Sequence, residues 1–153
     1  MSNLEDQPHI GSFIQADFAE AINGKLYLMG GGFETVWAPQ FPADIRFFFG
    51  AILFVPWKDT NRRLPVEGTV ISSDGEDLGW TLSGELEAGR APGQRGGRSS
   101  LVIAGPVGFR VEEPLKFAVK LRFASDERSI PLSVQPLPFQ LGAPQQPPPE
   151  NEA

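Results

Sequence analysis

The sequence predicts an all-β fold: an antiparallel two-sheet sandwich of about eight strands, immunoglobulin-like or C2-like in packing. Three observations carry this. Apolar residues recur with a period of two in most segments. Turn residues separate those segments at short intervals. No segment sustains a helical period; ADFAEAI (16–22) could make one turn but stops at Asn23-Gly24. A closed barrel is the alternative architecture.

The strands are expected at 12–19, 25–36, 45–55, 65–71, 78–87, 100–108, 115–123 and 129–134. The clearest is LKFAVKLRF (115–123), with Leu115, Phe117, Val119, Leu121 and Phe123 on one face and Lys116, Ala118, Lys120 and Arg122 on the other. LGWTLSGEL (78–86) turns Leu78, Trp80, Leu82 and Leu86 inward. IRFFFGAILFV (45–55) is apolar on both faces, as suits a central strand covered on both sides or one facing a partner. Asn23-Gly24 is a type I′ hairpin signal between the first two strands. Asp74-Gly75 separates 66–71 from 78–87, and prolines punctuate the rest.

Three regions follow: an N-terminal arm at 1–11, a sandwich domain at 12–141, and a tail at 142–153. QPLPFQLGAPQQPPPENEA (135–153) holds six of the 15 prolines with few apolar groups. Such a composition favours disorder or polyproline II, and Pro147-Pro148-Pro149 could dock on an aromatic groove.

Composition excludes several functions. The net charge of −6 argues against nucleic-acid binding by the whole chain. The absence of cysteine removes thiol catalysis, disulfides and thiolate metal sites. The polar, acidic start MSNLEDQPHIGS lacks the pattern of a signal peptide, and no apolar run suits a membrane span. The expected compartment is the cytoplasm. Twelve Phe against one Tyr point to a core, not a recognition surface.

The candidate sites are few. Gly30, Gly31 and Gly32 suggest a phosphate loop, but such a loop needs a following Lys and a helix, and FETVW is strand-forming. They are read as a structural bend, with positive φ at Gly31 or Gly32 and no anion beside them. The one histidine, His9, lies in the arm and cannot serve an oriented triad there. Asp17, Glu20 and Asp74 are the acids an enzyme would have to use. Neither catalytic residues nor a cofactor or metal is expected; the acidic loop 72–77 matches no EF-hand spacing.

Alternating strand direction would sort the loops into two poles. Residues 21–24, 56–63, 87–99 and 124–129 would form an Arg-rich pole; 38–44, 72–77 and 110–114 would form an acidic one. Arg62, Arg63, Arg90, Arg95 and Arg98 are then the candidate contacts for an anion or partner. Opposite poles could also drive head-to-tail self-association.

QADFAEAINGKLYLMGGGFETVWAPQFP (15–42) resembles the opening of a family of uncharacterised bacterial proteins. The matching features are Asp17-Phe18-Ala19, Gly24-Lys25-Leu26, Gly30 to Gly32, and Pro39 or Pro42. LKFAVKLRFASDERSIPLSV (115–134) resembles the family's closing strand pair. Residues 88–99 and the tail depart from the pattern. The resemblance implies a small β-sandwich and supplies no catalytic residues.

The expected function is a non-enzymatic binding or assembly module with a protein partner or self-association. An anionic ligand or nucleic acid at the Arg-rich pole is the alternative.

Overall fold

The computed structural model describes residues 3–90, 93 and 95–138. They form an all-β fold of ten strands among the described residues. β1 is His9–Ala16, β2 Phe18–Ile22, β3 Lys25–Met29, β4 Thr35–Ala38 and β5 Ala43–Val55. β6 is Arg63–Ser72, β7 Asp77–Glu87, β8 Ser99–Val111, β9 Leu115–Phe123 and β10 Asp126–Pro136.

Two sheets face each other. One has the order β1-β5-β8, the other β4-β10-β9-β6-β7. β5 turns Ile45, Phe47, Phe49, Ala51, Leu53 and Val55 into the core, all buried. β9 opposes it with Phe117, Val119, Leu121 and Phe123. The layers meet through aromatic contacts: Phe109 and Phe117 edge-on at 5.0 Å between ring centres, Phe49 and Trp80 at 5.9 Å. Each buried Phe or Leu stabilises the fold by about 1.5–3 kcal/mol. The half-buried Leu78, Trp80, Leu82 and Leu86 of β7 complete the core.

Polar clips join the sheets at their margins. Trp80 Nε1 of β7 donates to the Pro106 carbonyl of β8 at 3.0 Å. The Ile10 amide of β1 donates to Asp126 Oδ2 of β10 at 2.8 Å, and Arg128 Nη2 donates to the Ile10 carbonyl at 3.4 Å.

Four expectations are corrected. The arm does not extend to residue 11, since β1 begins at His9 and Ile10 is buried. A bulge between Ile10 and Ser12 hides this in the sequence by breaking the alternation. His9 is buried, its ring tilted against that of Phe54 at 5.4 Å between centres. The strand expected at 12–19 divides at Asp17 into β1 and β2. The strand expected at 25–36 divides at the glycines into β3 and β4, which join different sheets. Finally, β4 runs parallel to β10, so the pairing is not wholly antiparallel. The expected tail at 142–153 lies outside the described residues.

The strands β2 and β3 pair only with each other. Their hairpin turns at Asn23 (φ 50°) and Gly24 (φ 72°), the left-handed pair a type I′ turn requires. It packs on the outer face of the three-stranded sheet, against β5 and β8. The ring of Phe18 lies 5.1 Å from that of Phe48. Leu26 and Leu28 rest on Gly50. The outer apolar face of β5 is therefore covered by the chain's own hairpin.

Candidate functional site: the outer face of the hairpin

In an antiparallel pair, residues directly opposite share a face. Ala19 opposes Leu28, and Ala21 opposes Leu26. This face meets β5, and Ala19 is buried. Phe18 opposes Met29, Glu20 opposes Tyr27, and Ile22 opposes Lys25. From Glu20 to Lys25 this second face is turned away from β5, while at its base the Phe18 ring packs against Phe48. Its four large apolar side chains are open to solvent: Phe18 is 42% exposed, Ile22 42%, Tyr27 50% and Met29 68%.

The reason lies in the local sequence. FAEAI and KLYLM carry apolar groups on both faces, and a two-stranded hairpin laid on a sheet can bury only one. The only Tyr and one of the two Met residues of the chain sit on the uncovered side. Reading the abundant Phe and scarce Tyr as a sign of core alone missed this face. The available signal was an Asn-Gly turn between two short strands that each carry apolar groups on both faces.

Beyond Met29 the chain bends sharply. Gly30 and Gly32 have φ of 66° and 85°, conformations that side chains resist. The Asp17 amide donates to the carbonyls of Met29 (3.0 Å) and Gly30 (3.2 Å). The Gly32 amide donates to the Gln15 carbonyl at 3.0 Å, and the Gln15 side-chain amide donates to the Phe33 carbonyl. These bonds pin the bend against the end of β1. Gly31 packs on Ile14.

An open cleft of about 630 Å³ runs beside the bend, lined by Asp17, Gly30 to Gly32, Phe33, Thr35 to Trp37, Arg46 and Phe47. Trp37 is 54% exposed on the wall of this cleft. The group beside Gly30 is the chain's own Asp17 carboxylate, whose negative charge opposes a phosphate there. Asp17 and Arg46 line the same cleft, yet no ion pair among the described residues joins them.

The candidate acids do not converge. Asp17 follows β1, Glu20 lies on the outer face of the hairpin, and Asp74 sits in the turn between β6 and β7. Among the residues lining the cleft, Asp17 is the one carboxylate. The 72–77 loop is a closed turn. The Gly75 amide donates to the Ser72 carbonyl at 2.9 Å, and the Gly79 amide donates to Asp77 Oδ1 at 2.8 Å.

The loops around the candidate arginines do gather at one end. The Asn61 amide donates to the Ala88 carbonyl at 2.8 Å, and the Ala124 amide donates to the Pro65 carbonyl at 2.9 Å. Residues 21–24 are the tip of the hairpin that packs on β5 and β8. At the other end, Ala43 pairs with Val111, and the Ser73 amide donates to the Lys116 carbonyl.

Most of the arginines are committed within the chain. Arg62 pairs with Asp59 at 2.7 Å, and Arg63 with Glu85 at 3.8 Å. Arg90 lies 4.0 Å over the Trp57 ring and donates to Thr60 Oγ1 and the Trp57 carbonyl. Arg98 lies 3.8 Å over the Phe54 ring. Arg95 is exposed. Trp57 and Trp37 serve different regions: one holds Arg90, the other lines the cleft.

No helix among the described residues is long and apolar enough to cross a membrane. A model described as "Family of unknown function (DUF6941)" matches residues 11–135. No curated protein matches the chain. Among solved structures, a Bacteroides fragilis protein designated a β-galactosidase is similar at 12% identity with a TM-score of 0.43. The likeness covers 82% of this chain and 17% of that one.

Proposed function

The chain belongs to the DUF6941 family of unknown function, and from that premise we propose that it is a non-catalytic binding or assembly module. Its working surface is the outer face of the hairpin. One observation supports this above the others: Ile22, Tyr27 and Met29, with the exposed part of Phe18, share one solvent-facing side of the hairpin. Exposing four large apolar groups opposes solubility, and burial against a protein partner relieves it. The scattered positions of Asp17, Glu20 and Asp74 favour a binding role over a catalytic one.

The test is site-specific photo-crosslinking. A benzophenone amino acid replaces Tyr27 in one variant and Lys116, on β9, in a control. The Tyr27 variant should form discrete polypeptide adducts in cells that make the protein, suppressed by excess parent chain. Equal labelling from both positions, or no adduct from Tyr27, overturns the proposal.

The second reading places an anion at Arg62, Arg63, Arg90, Arg95 and Arg98. The gathering of their loops favours it; the internal commitments of four of the five weaken it. Binding there should fall steeply with salt.

A further inference from the structure

We infer that the partner of the hairpin face is a second copy of this chain, bound across a two-fold axis. This rests on the binding role proposed above and names the occupant of that same surface. A face that pairs with itself must offer each copy the charge the other lacks. This face does so with two residues. Glu20 lies on β2 and Lys25 on β3, one step apart on the same side of the hairpin. Neither takes part in an ion pair among the described residues.

The register defines how the copies meet. Glu20 opposes Tyr27, and Ile22 opposes Lys25. These four side chains form a small rectangle, with the charges on one diagonal and the apolar groups on the other. A two-fold axis in the plane of the face, perpendicular to the charged diagonal at its midpoint and so close to the apolar diagonal, sets Glu20 on the partner's Lys25. By symmetry Lys25 meets the partner's Glu20. The same axis brings Ile22 over the partner's Ile22, and Tyr27 over the partner's Tyr27. Both ion pairs and both apolar contacts then form together. A head-to-tail contact of opposite poles would use none of these residues.

A face this small falls at the low end of protein interfaces, so the dimer is weak and concentration-dependent. Sedimentation equilibrium of the full chain, from about 10 μM to about 1 mM, should show a monomer–dimer equilibrium. Glu20→Lys and Lys25→Glu should each raise the dissociation constant at least about tenfold, since each sets like charges together twice. The double variant restores both pairs with the signs exchanged and should return to within about threefold of the parent. Circular dichroism checks that each variant is folded. Tyr27→Ser, which alters no charge, should also weaken the dimer.

A chain that stays monomeric throughout overturns the inference, as does a dimer indifferent to the single reversals. A double variant that fails to recover removes the assigned pairing and with it the proposal. The two readings fail separately. A monomeric chain whose Tyr27 position still crosslinks to another polypeptide refutes the second copy and leaves the binding face standing.

Discussion

Gly50 lies directly beneath Leu26: a Cβ atom built on Gly50 would stand 2.8 Å from Leu26 Cδ1. That approach seats the hairpin on β5, a long strand with apolar groups on both faces. IRFFFGAILFV is therefore a covered central strand, and the exposed surface passes from it to the outside of the hairpin.

Gly50→Val should lift the hairpin. Leu26 and Leu28 would have to move from the space a branched side chain takes, at a cost of about 1–3 kcal/mol. Urea unfolding measures it. A change below about 0.5 kcal/mol would show that the hairpin is not held there.

The glycine bend predicts an ordered pair of effects. Gly32→Ala meets only the unfavourable φ, because the space beside it is open, and should destabilise by about 1 kcal/mol. Gly30→Ala adds a collision with the Asp17 carboxylate and should be worse. Adding Asp17→Gly should recover part of the excess, giving a coupled double-mutant cycle. Equal losses at both glycines would contradict this geometry.

The clip at Ile10 should govern the first strand. Asp126→Ala removes the acceptor of the Ile10 amide and the partner of Arg128 at 3.5 Å. A loss of about 1–2 kcal/mol is expected, with faster hydrogen exchange at Ile10. Unchanged exchange there would mean that burial of Ile10 alone anchors the strand.

Arg90→Ala separates the two readings of the Arg-rich end. If Arg90 is a structural brace on Trp57, the variant loses about 1 kcal/mol of stability and its tryptophan emission shifts. If Arg90 holds an anion instead, titration with inorganic phosphate should protect the parent against unfolding but not the variant.

Parts of this were readable in the residues. Asn23-Gly24 marked a hairpin because both positions need positive φ, a local property. LKFAVKLRF showed which side of β9 faces the core, because side chains alternate strictly along a strand. The destination of β4 was not readable. TVWA gives no sign that Val36 will lie beside Val134 in a parallel pair, since pairing partners are set by the whole sheet. The outer face of the hairpin was hidden for a related reason: Phe18 and Tyr27 look like core residues until it is known what covers them.

By itself, the sequence determined the all-β class, the inward face of the main strands, the hairpin turn and the place where the chain must bend. These follow from backbone sterics and a two-residue period, which act over a few positions. Only the tertiary structure decided that the strand expected at 25–36 serves two sheets, that the hairpin lies over β5, and that Phe18, Ile22, Tyr27 and Met29 remain in solvent. The reason is physical: local chemistry sets which way a side chain points, but burial depends on what a distant segment brings to meet it.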